Sequence, residues 1–435
     1  MVTRVLAPAP SATSKPAPAK QTTETAVPSP PPTRYVKLAG ASPTPPTRVR
    51  APATPLQKAD GVKNILLLGN DVPGAQRGRT DSILLISING HTGQVAMLSI
   101  PRDLYVYIPG WTMNRINLAY PHGQRAGYHG GGGELVKDTI RYNLGIEVDH
   151  YVRVGFNGFK QIVDELGGVE IVVNCPIKDW RLKSPELNPE VEENWTPFVL
   201  EPGVQQMDGE LALWYVRSRR NSNDIDRGRR QQKMLDALYR QLTKSEYVLL
   251  RLPSLVERLL PWVETDLQTG DIIELAAQLP MLRGDRIQHV LLTGEALRPW
   301  TDPLSGAAMQ LLNAEAAEPL LRQLTKEGAL HRVNRAPIRV EVHTHDPILY
   351  RQVAENLTWY GFEPHFQFSS DQPPLAPVLE YHGKNVKGSF AKRLAWIFRQ
   401  YETDIMVQNS VVSYAPEYRV VLGQDHNPCL PYLRE

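Results

Sequence analysis

Cysteine is nearly absent from this chain: 435 residues hold two, Cys175 and Cys429. Lying so far apart in sequence, they suggest neither a zinc site nor a redox pair and leave either one disulfide or two buried thiols. Long apolar runs are missing as well. No stretch reaches the ~20 residues of a membrane span, and none near the N-terminus has the apolar length of a signal peptide. Taken literally, nothing in the sequence exports or anchors the protein. A phosphate-binding glycine fingerprint is also lacking. The run His129 to Gly133 (HGGGG) has neither the spacing nor the lysine of such a motif and reads as a flexible loop, where His122 and His129 are assigned no role. Nor is there an excess of one charge, because 48 basic and 46 acidic residues leave a formal +2.

That small balance is unevenly spread. Residues 1–60 carry eight Lys or Arg and two acidic residues, 8 − 2 = +6, which leaves 2 − 6 = −4 for the remainder. The same segment holds 13 of the 37 prolines, mixed with Ala, Ser and Thr. It reads as a solvated, polyproline-like tether that could extend about 180 Å. Its charge suits an anionic membrane or wall-polymer surface, and suits a soluble tail equally well. The folded part beyond it is net acidic and shows no interleaving of aromatic and basic residues, so nucleic acid is not expected as a partner.

Folding is expected from about Gly61. Lys63 to Gly69 (KNILLLG) reads as a buried strand followed by a polar loop containing Asp71. The stretch Arg77 to Asp103 then organises the chain. Arg79-Thr80-Asp81 leads into the apolar strand Ser82 to Ile88, Asn89-Gly90 suggests a tight turn, and Gln94 to Ile100 returns toward Pro101-Arg102-Asp103. An antiparallel hairpin of this kind brings Arg79 and Asp81 near Arg102 and Asp103. The bland reading is ordinary capping of strand ends by Arg-Asp pairs. Helical spacing follows over Glu134 to Leu144. His150 to Val173 reads as strand, helix and strand with a stop at Gly167-Gly168, which implies a mixed α/β core. Amphipathic stretches at Leu249 to Leu260 and Ile272 to Leu282 would complete the same unit.

A second charged cluster, Leu211 to Gln232, reads LALWYVRSRRNSNDIDRGRRQQ. Taken as a strand, Trp214 to Arg219 would put Arg217 and Arg219 on one face, where they repel unless an anion lies between them. Arginine suits phosphate because its planar fork donates in pairs and keeps its charge when partly buried. A helix is expected from Gln231. Arg227 either lines the site or pairs with Asp224 at a helix start.

The ordered set GND, RTD, SIPRD, NRINLAY, FNGFKQIVDELGGV, MDGELALWYVRSR and DRGRRQQ, spread over Lys63 to Leu242, resembles the LytR-CpsA-Psr family of cell-envelope proteins. The resemblance implies a mixed central sheet with flanking helices. It implies a phosphotransferase that moves a glycopolymer from a polyprenyl diphosphate carrier onto a peptidoglycan or comparable wall hydroxyl, with Mg2+ beside the diphosphate and an apolar pocket for the lipid. Carried over by motif, Asp81 is the metal carboxylate, and Asp71 is a further metal-site residue or the base. Arg79, Arg102, Arg217 and Arg219 clamp the diphosphate, while Arg115, Arg227 and Gln231 complete the polar wall. Arg115 stands where many relatives carry lysine, and Asp103 reads as a residue that orients arginine. The lipid pocket has no location in the sequence, because the apolar strands and the helix Phe159 to Leu166 would look the same in a filled core.

The resemblance also implies an extracytoplasmic, membrane-associated protein, although relatives carry a membrane helix where this chain has the Pro-rich arm. From Pro337 onward the chain resembles, more faintly, the C-terminal domain often attached to such proteins, with His343-Thr344-His345-Asp346 in place of its Asn-Gly-rich opening. The expected division is therefore an arm over 1–60, a catalytic α/β domain over 61–335 and a small α/β domain over 336–435. A non-catalytic binder of polyprenyl phosphates, or an envelope regulator on the same fold, is the alternative. Retention of a metal carboxylate argues against it.

Overall fold

The computed structural model describes residues 49–70, 78–220, 224–244, 246–282, 287–303, 305–325, 338–382, 390–398, 406–407, 418–424 and 426–429. Asp71 and the Pro-rich arm through residue 48 lie outside them.

The apolar run after Gly61 forms β1 (Val62–Asn70). Its antiparallel neighbour β2 (Thr80–Asn89) sets Leu85 beside Leu66 and Ile83 beside Leu68, and β3 (Gln94–Ser99) adds Leu98 beside Leu85. Leu66, Leu85 and Leu98 are fully buried, each worth roughly 1.5–3 kcal/mol relative to exposure. The expected hairpin is present, but its turn is not the tight Asn-Gly turn. Gly90 to Gly93 join the strands, Asn89 Oδ1 accepts the His91 and Thr92 N–H groups at 2.9 and 3.0 Å, and Gly93 takes the left-handed conformation at φ 69°. The asparagine side chain replaces the backbone bond that a two-residue turn would make.

A second hairpin pairs β4 (Leu104–Tyr107) with β5 (Met113–Arg115) and leads into α1 (Ala119–Ala126) and α2 (Gly131–Leu144). The glycines expected as a flexible loop instead open α2. A Cβ on Gly132 would stand 2.4 Å from the Tyr120 carbonyl oxygen, and one on Gly133 would stand 2.3 Å from the Tyr151 ring. Close approach of α2 to α1 at Gly132 and to the Tyr151 ring at Gly133 accounts for them. Upstream, the backbone of Ala53 and Leu56 donates to the Tyr142 and Gly145 carbonyls, so this segment lies along α2.

Next come β6 (His150–Val154), parallel to β1, then α3 (Phe156–Glu165), stopped by left-handed Gly167, and β7 (Val169–Val173). The strand-helix-strand pattern is as read, although its two strands part company. After the hairpin of β8 (Ile177–Leu182) and β9 (Trp195–Leu200), β7 pairs with β10 (Gly203–Met207) outside the main sheet.

The sequence reading of Trp214 to Arg219 as a strand is overturned. Gly209–Arg217 is helix α4, whose N-cap Asp208 accepts the Leu211 N–H at 2.8 Å and whose buried residues Ala212, Tyr215 and Val216 follow helical spacing. A capped start and a period near 3.6 prevail over β propensity here. Helix α5 spans Asp224–Thr243 and so begins seven residues before Gln231. There follow α6 (Glu246–Leu259), β11 (Val263–Thr265), α7 (Thr269–Gln278), β12 (Ile287–Leu291), β13 (Leu297–Thr301), β14 (Ala308–Leu312) and α8 (Ala314–Thr325). The main sheet has the order β11-β6-β1-β2-β3-β12 with mixed directions, and a second sheet runs β13-β14-β4-β5. One core joins the main sheet to α1, α2 and α8 through Tyr120, Leu135, Ile140 and Leu321. Another joins α3, α4 and α5 to β7 and β10 through Val163, Ile171, Tyr215 and Met234.

The C-terminal residues build their own sheet and core. β15 (Ile338–Thr344), α9 (Pro347–Trp359), β16 (Phe362–Phe368), β17 (Val378–Tyr381), α10 (Ala391–Ile397), β18 (Met406–Val407) and β19 (Tyr418–Val421) give a sheet ordered β16-β15-β19-β17-β18. Val340, Val342, Leu357, Tyr418 and Val420 fill its centre. Asp346 caps α9 through the Ile348 and Leu349 N–H groups. The two cysteines form a disulfide, Cys175–Cys429.

Candidate functional site

Strand register decides where the charges go. Leu84 opposes Ser99, and the Ile83 carbonyl accepts the Ile100 N–H at 2.9 Å, so Asp81 and Arg102 emerge together at the mouth of the hairpin. Arg102 Nη1 lies 2.9 Å from Asp81 Oδ1, and its Nε donates to Asp103 Oδ2 at 3.3 Å. Asp103 Oδ1 in turn stands 3.4 Å from Arg115 Nε. Charge therefore alternates along Asp81, Arg102, Asp103 and Arg115. The four side chains are 22–28% exposed. They are desolvated enough to strengthen each pair and open enough to receive an anion.

The three motifs behind these residues are knitted by neutral bonds. Thr80 Oγ1 donates to the Asn117 carbonyl at 3.4 Å, and the Asn117 N–H donates to the Arg102 carbonyl at 3.3 Å. Arg115 Nη2 donates to the Ala308 carbonyl at 3.0 Å, which fixes its guanidinium against β14.

A second wall comes from α4 and α5. Gln231 Nε2 donates to Ser82 Oγ at 2.7 Å, directly beside Asp81, and reaches the Val216 carbonyl at 3.5 Å. Arg227 lies one turn earlier on the same side of α5 and is buried. Arg217 is exposed at the end of α4 with its guanidinium 4.0 Å from the centre of the Phe156 ring. The Arg219 N–H donates to Asp179 Oδ2 at 2.8 Å and the Arg220 N–H to the same oxygen at 3.4 Å, so the β8–β9 hairpin holds the segment that follows α4. Arg79 immediately precedes β2 and is exposed.

The structure thus joins Asp81, Arg102 and Arg115 in one network and brings Gln231 to the strand that carries Asp81. Arg217 and Arg219 stand at the end of α4, where they meet the Phe156 ring and Asp179 respectively, and on that helix Gln231 reaches the neighbouring Val216 carbonyl. Sequence reasoning missed Ser82, Asn117, Phe156 and Asp179. Ser82 directly follows the RTD triplet and was within reach of the same argument. Asp179 sits on a separate hairpin and leaves no local signal.

Among the described residues no group of three His, Cys, Asp or Glu side chains is arranged to hold a metal ion. Magnesium that shares phosphate oxygens and water needs only one or two protein carboxylates. Asp81, 2.9 Å from Arg102, is a carboxylate of that kind.

Comparison with known proteins agrees with this motif set. The LytR_cpsA_psr family model matches residues 35–326. Over 184 residues the chain is 35% identical to the polyisoprenyl-teichoic acid–peptidoglycan teichoic acid transferase TagU of Oceanobacillus iheyensis, covering 42% of this chain and 52% of that one. Over 233 residues it is 30% identical to the regulatory protein MsrR of Staphylococcus aureus, covering 53% of this chain and 63% of that one. It therefore spans between half and two thirds of these two relatives. The crystal structure of B. subtilis TagV superposes with a TM-score of 0.50 at 24% identity, over 61% of this chain and 96% of that one, a likeness of fold.

Proposed function

Because the chain belongs to the LytR_cpsA_psr family, we propose that it is a phosphotransferase which moves a glycopolymer from a polyprenyl diphosphate carrier to a hydroxyl of peptidoglycan or a similar wall acceptor. The observation that carries the reading is the alternation of Asp81, Arg102, Asp103 and Arg115 at one strand mouth. A diphosphate brings several negative charges, and an attacking oxygen is repelled until cations answer them. The acceptor oxygen attacks the phosphorus that bears the glycan, the bond to the bridging oxygen breaks, and polyprenyl phosphate leaves. A phosphodiester results.

Arg79, Arg102, Arg217 and Arg219 clamp the diphosphate in this reading, and Arg115, Arg227 and Gln231 line the wall. Asp103 keeps Arg102 and Arg115 oriented. Asp81 would hold a Mg2+ ion, whose chemistry when bound is to offset charge on the phosphate oxygens. Asp71, outside the described residues, is proposed as a further metal-site residue or the base that takes the acceptor proton. The Cys175–Cys429 disulfide supports an extracytoplasmic setting, since such bonds persist in oxidising compartments. The basic arm suits a membrane surface. No helix among the described residues is long and apolar enough to cross a membrane.

The test is release of polyprenyl monophosphate from a polyprenyl diphosphate by the purified chain, with and without magnesium, beside Asp81→Asn. Metal-dependent turnover lost in the variant supports the transferase. Tight lipid binding without turnover, even with a wall-sugar acceptor supplied, would replace this reading by a non-catalytic polyprenyl-phosphate binder or envelope regulator.

A further inference from the structure

Helix α5 has two working faces. One carries Arg227 and Gln231 to the site, and the other carries Arg229 and Lys233 into the C-terminal lobe. These two cations are 2% and 8% exposed, a placement that is strongly unfavourable without a carboxylate nearby. Glu355 on α9 provides one, with its Oε1 2.8 Å from Lys233 Nζ. Burial alone would raise the Glu355 carboxyl, but Lys233 and Arg229 hold it below the ordinary range. Burial pushes Lys233 down to about 8 and Arg229 down to about 10.

The next residue on α9 is a junction. Asn356 Oδ1 accepts Arg229 Nη2 at 3.2 Å and Asn174 Nδ2 at 2.9 Å, while its own Nδ2 donates to the Pro428 carbonyl at 2.9 Å. Gln352 Nε2 donates to the Val173 carbonyl at 2.9 Å. Trp359 stacks on His289 with ring centres 3.9 Å apart and lies 4.4 Å from the Arg229 guanidinium. The Cys175–Cys429 disulfide closes the same corner, adjacent in sequence to Asn174 and Pro428.

We propose that the C-terminal lobe positions the site: Glu355 and Asn356 fix α5 so that its Arg227–Gln231 face meets β2, and the disulfide keeps this clamp closed. The proposal rests on the transferase reading for what the site binds. Its geometry is independent of that reading. Gln232 Nε2 already ties α5 to the main sheet through Ser99 Oγ at 2.9 Å and the Val290 carbonyl at 3.1 Å. Loss of the clamp therefore leaves α5 seated on the sheet and frees its lateral position.

The experiment uses the full chain as wild type, Glu355→Gln, Glu355→Asp and the double variant Lys233→Met/Glu355→Leu, together with wild type after reduction by dithiothreitol. Hydrogen exchange of amides 224–232 and the KM and kcat for farnesyl diphosphate, with water as the acceptor and farnesyl phosphate and inorganic phosphate as products, are read at a temperature where each sample is folded. Glu355→Gln and reduction are expected to speed exchange in the first turns of α5 by about ten-fold or more. Both should raise KM about ten-fold with a smaller change in kcat. Glu355→Asp should recover part of the loss. The double variant should recover only part of it, because it removes the desolvation cost of Lys233 and Glu355 together but leaves the buried Arg229 guanidinium without that carboxylate.

A fall in thermal midpoint with exchange and KM unchanged would make the contact merely stabilising and overturn the proposal. Should Glu355→Gln fail to fold, the reduced wild type gives the same two readouts. Absence of any turnover or binding in wild type would sink the transferase reading alone. In that event α5 exchange decides: acceleration supports the clamp, and no change refutes it.

Discussion

Arg102→Lys isolates what the arginine fork contributes at the strand mouth. Arg102 spans two carboxylates, Asp81 at 2.9 Å through Nη1 and Asp103 at 3.3 Å through Nε. An ammonium is a single point of charge and can stay with one of them. Charge-assisted contacts are worth about 1.5–3 kcal/mol when desolvated and about 0–1 at full exposure. With the side chains 22–28% exposed, about 1 kcal/mol per contact is reasonable. Arg102→Lys should then lower stability by about 1 kcal/mol, and Arg102→Gln, which removes the cation beside Asp81 and leaves Asp103 with Arg115 alone, by about 2 kcal/mol. Urea unfolding followed by tryptophan fluorescence measures both. Diphosphate turnover should follow the same order, with kcat/KM lowered about ten-fold in the lysine variant. If Arg102→Gln unfolded at the wild-type midpoint and turned over substrate normally, the alternating charges would not be what shapes this site.

Three further outcomes follow from packing and titration. Glu264 accepts from the Tyr120 hydroxyl and pairs at 2.9 Å with Arg153, which is 8% exposed. Glu264→Ala should therefore cost about 2–3 kcal/mol and Glu264→Gln less, as thermal unfolding would register. Burial raises the Asp236 carboxyl to about 6. Its contribution to stability is full below the unfolded value near 4 and is lost as pH rises through about 6, so Asp236→Asn should flatten that fall and stabilise the protein at pH 8 by about 1–2 kcal/mol, the lost Arg240 contact included. Gly133→Ala drives a methyl into the Tyr151 ring and should lower the unfolding midpoint by the equivalent of about 2–3 kcal/mol.

What was legible in the sequence is what depends on near neighbours. Apolar runs on both sides of Asn89-Gly90 could only be a hairpin, and a hairpin fixes which ends meet, so the approach of Asp81 to Arg102 followed from strand pairing. The same reasoning named the wrong turn, because an asparagine side chain can take over a backbone bond. It also named the wrong element at Trp214 to Arg219. Val, Trp and Tyr there favour a strand in isolation, yet Asp208 caps a helix six residues earlier and Tyr215 and Val216 are needed against α5. Local propensity is a weak term beside burial of a whole face. HGGGG misled for the opposite reason, since glycine permits both a loop and a closely packed helix start, and only the distant Tyr120 carbonyl and Tyr151 ring decide between them.

What was not legible lies in contacts between distant segments. Asp179 must meet Arg219 across two intervening strands and the whole of α4, and Glu355 must meet Lys233 from a different lobe. Each partner alone looks like an ordinary surface charge. The Arg-rich run of α5 illustrates the consequence. Read locally it suggests a patch waiting for phosphate, but its cations divide by face: Arg227 lies on the side of α5 that Gln231 ties to β2, while Arg229 and Lys233 are turned into the interior and met by α9. Helical geometry makes that division, because residues two apart on a helix point in roughly opposite directions. A count of arginines therefore overstates how much charge the site can offer, and the difference is the part of the helix that anchors it.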